Sequence, residues 1–529
     1  KGRLADLFFF SRTIKAVDML TQTSTLPPLD NIEHNPALAP HQSALCYRLA
    51  QLSLQRGQVQ DAASHAQHAL NLSPETHRYR LLLAHCCLQR GDINSAIKHA
   101  NTLILNPNLK ADELDTLGHI YSRIGDLEKS FECLEKAYQH RPSDKKYIYN
   151  YALACRTRGY LDKAERLIEK ALSLQPDDWE AYLTRSQLRP QTLTDNHIEE
   201  LQQLLEKNKS LTARINLGYA LAKECEDTGQ YEQSFIHLQQ ASDLRRRHSR
   251  YQVEGDLDTI HQIQKSYDDT TVNEAGGDDN SEAIFVLGLP RTGTTLVERI
   301  IGTHSSVISA GELHNFSTQL VQQTQQQFGA IKHKLDLVEH STQLPSAKLG
   351  KAYINSTRAL TGKSPRFIDK MPLNFLYIGA INRALPNAKI IHLTRNPMDA
   401  CYAIYKTQFK QTYPFSYDLN DLASYYIAYR KLMRHWKTVM GEKLHFVSYE
   451  GLVKEQETCS RQLLDFCQLE WDPACLDFHH SAKPSTTASA CQIRQPIHQR
   501  SVGQWRNFRQ QLVPLYKALY AAGLDPEHW

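Results

Sequence analysis

Four glycines, Gly57, Gly91, Gly125 and Gly159, stand 34 residues apart and constrain the first half of the chain more than any other feature. Seven positions before each lies a small residue: Ala50, Ala84, Gly118 and Ala152. Five positions after each comes another: Ala62, Ala96, Ser130 and Ala164. Pro74, Pro142 and Pro176 follow their glycines by seventeen residues, and Pro107 by sixteen. The spacing predicts a repeated helical hairpin. The glycine ends the first helix, small residues let the second lie close against it, and proline stops the pair.

A 34-residue hairpin with these positions resembles the tetratricopeptide repeat, which implies an α-helical solenoid. The resemblance covers residues 41–250. Its last copy is degenerate: Ala222, Gly229 and Ser234 keep the offsets, and Ala241 matches Ala69, Ala137 and Ala171. Residues 1–40, with Pro27, Pro28, Pro36 and Pro40, read as an N-terminal segment and connector. The phase breaks near Gln187–Pro190. Residues 251–282 read as a linker, in which Tyr267–Glu282, with Asp268, Asp269, Gly276, Gly277, Asp278 and Asp279, suits a flexible acidic linker or an exposed loop. From residue 283 to 529 the pattern changes. Candidate strands Ala283–Leu287, Arg366–Ile368, Lys389–Thr394 and Leu444–Ser448 alternate with helical stretches at Leu373–Leu385, Asp399–Gln408, Leu419–Met440 and Gly451–Cys467. That alternation predicts an α/β domain with a mostly parallel sheet covered on both faces.

A formal charge of +4 gives no dense basic stripe for bulk nucleic-acid binding. The eleven cysteines form no C-x-x-C and read as reduced core residues of a cytoplasmic protein. No segment reaches the roughly 20 apolar residues of a membrane span. Leu7-Phe8-Phe9-Phe10 is too short for a signal-peptide core, although a start at Lys1 leaves open that a leader was removed. His479-His480 is a sequential pair, a poor metal-ligand spacing, and no metal is expected.

The run Gly288-Leu289-Pro290-Arg291-Thr292-Gly293-Thr294-Thr295 follows a strand and opens a helix, in the frame of a phosphate-binding loop. Thr294 stands where such loops carry lysine, and Arg291 supplies a cation earlier. Loop amides and a helix N-terminus still hold an oxyanion. The pattern predicts a phosphorylated ligand other than ATP. Strand Lys389–Thr394 runs into Arg395, placing a second cation at the carboxyl edge of the sheet. Arg395 reads as the partner of a second phosphate, or as a helix-opening arginine paired with Asp399.

With both motifs in view, residues 283–529 resemble the PAPS-dependent sulfotransferases, most like the protein-tyrosine sulfotransferase branch and bacterial proteins that join it to tetratricopeptide repeats. The resemblance implies PAPS as sulfuryl donor, 3′,5′-ADP as product and no required metal. It assigns donor binding to Arg291, Thr292, Gly293, Thr294, Thr295, Arg395, Tyr449 and Ser489. It implies that Glu312 is the base, that Lys370 and Arg291 stabilise the transferring group, and that Ser489 meets the sulfonate end. Ser501–Trp505 resembles a segment that folds over the nucleotide. Alternatives stay open: a surface or capping role for Glu312, His314 as competing base, a Lys370–Asp369 ion pair, and an ordinary loop around Ser489. Two positions depart from the family pattern. Ala403 replaces a serine, whose hydrogen bond Thr407 or Tyr402 would have to supply, and Gln504 replaces a lysine before Trp505. The implied acceptor is a hydroxyl, first a peptide or protein tyrosine presented by the repeats, otherwise a glycan or small phenol. A homodimer is compatible with the resemblance. A P-loop kinase, or a repeat scaffold with an inactive C-terminal domain, are the competing readings.

Overall fold

The computed structural model describes residues 39–409, 412–481 and 494–529, so most of the N-terminal connector lies outside the described residues. Packing divides the chain into two units, with the boundary between Pro142 and Ser143. The first contains the hairpins Ala39–Gln55/Val59–Leu72, His77–Gln89/Ile93–Ile104 and Ala111–Ile124/Leu127–His140. The second opens with Lys145–Arg158/Leu161–Leu174, passes through helices Trp179–Leu188 and Ile198–Lys207, and reaches the degenerate pair Leu211–Asp227/Tyr231–Arg247.

The period has a backbone cause. Gly57, Gly91, Gly125, Gly159 and Gly229 all adopt positive φ, between 75° and 99°, which lets each hairpin turn without Cβ strain. Gly118 serves close approach instead, since a Cβ there would lie 2.7 Å from Leu134 Cγ. Asp92 and Asp126, also 34 residues apart, cap the second helices by accepting from Ser95 N and Lys129 N, each at 3.1 Å.

Residues 251–282 depart from the expected linker. Helix Glu254–Ser266 buries Ile260 and Ile263, and Tyr267 and Val272 are buried beyond it. Tyr267 Oη lies 2.7 Å from Ser341 Oγ, and its ring meets Trp436 edge-on at 6.3 Å. Asp278 N donates to Ala384 O at 2.9 Å, so the acidic stretch also rests on the α/β core. The apolar residues 260, 263 and 267 mark one helix face by their spacing, interspersed with acidic and polar residues.

The α/β sheet contains β1 (Ala283–Leu287), β2 (Val307–Ser309), β3 (Arg366–Lys370), β4 (Lys389–Thr394) and β5 (Leu444–Ser448). All pairings are parallel, in the order β2-β3-β1-β4-β5. Alternation along β1 feeds two cores. Ile284 and Val286 pack with Val297, Ile300 and Ile301 of helix Thr294–Gly302. Phe285 turns to the other face, against Tyr353 at 5.5 Å and Phe316 at 6.3 Å. The long helix Leu419–Met440 falls where its apolar pattern predicts. The helix expected over Leu373–Leu385 is a 3₁₀ turn, Pro372–Leu376, followed by Ile378–Ala384. The helix expected over Gly451–Cys467 is split at Glu455 into Tyr449–Lys454 and Gln456–Phe466. Among the described residues no helix is long and apolar enough to cross a membrane.

Asp369, in β3, is fully buried and accepts from Tyr353 Oη at 2.9 Å. Burial pushes its carboxyl from 3.8 up to about 7, against the hydrogen bond from Tyr353 and the charge of Lys370. The folded state therefore binds this proton more tightly than the unfolded chain. The stability it contributes is complete below 3.8 and is lost as pH rises through about 7. Thermal unfolding between these limits should show a steeper loss with rising pH in the native chain than in Asp369→Asn.

Candidate active site

Parallel pairing places the loops after β1, β2, β3 and β4 at one edge of the sheet. The loop after β1 is held open by residues in unusual backbone conformations. Gly288 has φ 149°, Gly293 φ 106° and, unusually for a non-glycine, Arg291 φ 65°. A Cβ at Gly288 would lie 2.9 Å from Leu393 O, and one at Gly293 2.7 Å from Tyr449 Cδ2. Thr292 Oγ1 closes the turn on Leu289 O at 2.7 Å. Helix Thr294–Gly302 starts directly afterwards, with Thr294 and Thr295 buried, so its N-terminal end faces the loop.

Arg395 follows β4 and is buried. Its Nη1 donates to Arg291 O at 2.9 Å and its Nη2 to Ser501 O at 2.6 Å, while the guanidinium lies 4.9 Å from the centre of the Tyr449 ring. Tyr449 Oη and Ser501 Oγ are 2.6 Å apart. Asp399 does not take the place of an ion-pair partner: its oxygens accept from Gly503 N at 2.6 Å and Trp505 N at 3.1 Å. Burial, then the charge of Arg395, pulls the Arg291 guanidinium down to about 10, still protonated at neutral pH. A buried and a half-buried cation held this close form an anion site. Arg395 Nε is buried without a hydrogen-bond partner among the described residues, and the two glycines let the loop pack directly against Leu393 and Tyr449. The residues present fit a phosphorylated, sulfated nucleotide.

Glu312 and Lys370, distant in sequence, meet at the same edge. Gly311 O accepts from Lys370 N at 2.9 Å, extending the β2–β3 pairing and carrying Glu312 over β3. Lys370 Nζ donates directly to Glu312 Oε1 and lies 3.8 Å from Glu298 Oε2. The lysine side chain is 1% exposed and that of Glu312 39%, so the pair runs from the core to the surface. Asp369, the alternative partner of Lys370, instead binds Tyr353. Its buried carboxyl is therefore a poor equivalent of the Mg²⁺-holding aspartate a kinase needs. His314 is exposed at the start of helix Asn315–Phe328. Ser489 lies outside the described residues.

The sequence did not reveal several neighbours. Glu298, one turn into the loop helix, accepts from Ser309 Oγ at 2.6 Å. Glu450 accepts from Asn396 N at 2.7 Å. Tyr413, at φ 53°, is close enough for the charge of Glu312 to add to the burial that raises its hydroxyl pKa. No spacing marks these residues, because each reaches the site from a separate element. At the departures from the family pattern, Thr407 Oγ1 is bound to Ala403 O at 2.8 Å, so it does not stand in for the missing serine. Gln504 Oε1 accepts from Lys406 Nζ at 3.1 Å, which brings a lysine beside the position of the one that is missing.

Residues 283–473 match the sequence profile of the Sulfotransferase family. This part of the chain is a sulfotransferase domain. Tetratricopeptide-repeat profiles match residues 53–106, 114–144 and 146–178 ahead of the sulfotransferase domain. An uncharacterized protein of Aquifex aeolicus is 29% identical over 73% of this chain and 52% of its own length. A protein-tyrosine sulfotransferase of Drosophila melanogaster is 26% identical over 42% of this chain and 46% of its own. The chain thus spans about half the length of these relatives. A solved sulfotransferase domain from a Synechococcus olefin synthase is 18% identical, covering 47% of this chain and 96% of that one, with a TM-score of 0.36.

The loop geometry can be tested through Gly293. Gly293→Ala should destabilise the chain by roughly 1–3 kcal/mol, from positive-φ strain and the clash with Tyr449. Denaturant unfolding measures the change, and an unchanged midpoint would contradict the described loop.

Proposed function

We propose that the chain transfers a sulfuryl group from PAPS to the phenol of a peptide or protein tyrosine. The observation that carries this reading is the Lys370–Glu312 ion pair at the sheet edge that also holds Arg291 and Arg395. When bound, PAPS supplies an activated sulfuryl group on its 5′-phosphate. The amides of residues 292–295 and the guanidinium of Arg291 would hold that phosphate, and Arg395 and Tyr449 would hold the far end of the nucleotide. Lys370 would serve as the fixed cation that offsets charge developing between sulfur and phosphate. Its contact with Oε1 leaves Glu312 Oε2 for the acceptor proton. Ser489 is retained as a group meeting the sulfonate end, on the strength of the sequence resemblance alone.

An aromatic patch supports a phenolic acceptor over a glycan. Tyr413, near Glu312, meets Phe409 edge-on at 4.8 Å and Phe415 at 6.1 Å, and Phe415 stacks on Tyr425 at 3.7 Å. Phe415 and Tyr425 are buried and back the half-buried rings of Phe409 and Tyr413, which suit an aromatic side chain. The Drosophila relative's name supports a tyrosine acceptor, and repeat arrays commonly offer a concave surface for peptide. The free thiols of the described cysteines support a cytoplasmic setting.

Glu312→Ala should bind 3′,5′-ADP within about twofold of the native chain in calorimetry while turnover falls about 10²–10⁴-fold. Near-normal turnover would remove Glu312 as base. Preference for ATP·Mg²⁺ over 3′,5′-ADP would contradict the donor assignment.

A further inference from the structure

The C-terminal segment 494–508 touches repeats at both ends and the two-arginine site in its middle. At one end Arg494 Nη2 donates to Thr157 O at 2.9 Å, and its guanidinium covers the Cα of Gly159 so closely that a Cβ there would collide with it. Gly159 is one of the periodic glycines, so the contact uses the turn of the fourth hairpin. At the other end the degenerate hairpin takes over. Lys406 Nζ bridges Glu226 Oε1 at 2.7 Å and Gln504 Oε1 at 3.1 Å. Tyr231 meets Phe508 edge-on at 5.4 Å, and Phe235 lies 6.1 Å from both Phe508 and Tyr405. Between these anchors Ser501 accepts from Arg395 and meets Tyr449, while Gly503 N and Trp505 N donate to Asp399.

We propose that the fourth and last repeats are working parts of the donor site, because they clamp the segment that sets Arg395 and Tyr449. Glu226 and Arg494 are positioning residues in this scheme. Each touches the strap or its bridging lysine, and neither belongs to the two-arginine site itself. The repeat region thereby has a duty besides any contact with acceptor. The physical basis is entropic. A segment whose regular structure is little more than the short 3₁₀ helix Gln504–Phe508 loses much conformational freedom when held. Anchors at both ends lower the cost that a ligand would otherwise meet on ordering it. The degenerate sequence of the last repeat follows from the same duty. Its second helix presents Tyr231 and Phe235 to the sulfotransferase domain rather than to a further hairpin.

The inference rests on the donor reading above for its functional half, so the test has two readouts on the full-length chain. Amide hydrogen exchange of the ligand-free protein follows residues 494–508, and calorimetry follows 3′,5′-ADP. Arg494→Ala and Glu226→Gln should each raise exchange through the segment and weaken 3′,5′-ADP binding about tenfold, the loss expected for one charge-assisted contact. Arg494→Lys should recover part of both effects, and melting temperatures should stay near that of the native chain. Unchanged exchange in both variants would overturn the clamp, whatever binds the site. Raised exchange with unaltered 3′,5′-ADP affinity would overturn its service to the donor. If the native chain bound no 3′,5′-ADP, the donor reading would fall, and with it that service, while exchange would still decide the clamp.

Discussion

Parallel pairing of β1 with both β3 and β4 is the constraint on which the rest of the site depends. Because β1 sits between them, its loop, Lys370 from β3 and Arg395 from β4 emerge side by side at one edge. Pairing of β2 with β3 then brings Glu312 over Lys370. Four groups that are far apart in sequence therefore become neighbours through one sheet order. A different order of the same strands would separate them while leaving each local motif intact.

The electrostatics follow from this geometry. Arg291 and Arg395 are close enough for mutual repulsion to matter, with Arg395 buried and Arg291 half-buried. Asp399, the acid nearest in sequence, is engaged by backbone N–H groups of residues 503 and 505. An arrangement that keeps two cations together without giving them that carboxylate favours an incoming anion. The acid at the site lies instead with Lys370, where a partly exposed carboxylate meets a buried ammonium. On the proposed reading, anion holding and proton acceptance fall at separate places along the same edge.

Much of this was legible in the sequence where backbone chemistry repeats or is forced. The 34-residue glycine period predicts the hairpins because each turn needs a positive φ. The run 288–295 predicts a strand–loop–helix because two glycines must be there for steric reasons. Other parts were not legible, each for a physical reason. β2 has only three residues, too few to show alternation. The stretch before β1 hides a helix and, beyond it, the buried Tyr267, whose partners Trp436 and Ser341 are far away in sequence. The partner of Lys370 was open between its neighbour Asp369 and a remote residue, and strand alternation turns Asp369 to the opposite face. The clamp on residues 494–508 includes a contact between residues 337 positions apart, beyond the reach of any local pattern.

The central claim is that this edge moves a sulfuryl group and not a phosphoryl group. The most direct measurement incubates the full chain with a tyrosine-containing peptide and either PAPS labelled in its sulfuryl group or ATP labelled in its γ-phosphate. Label from PAPS appearing on the tyrosine phenol, with none from ATP, is the predicted result. Transfer from ATP with none from PAPS would contradict the account.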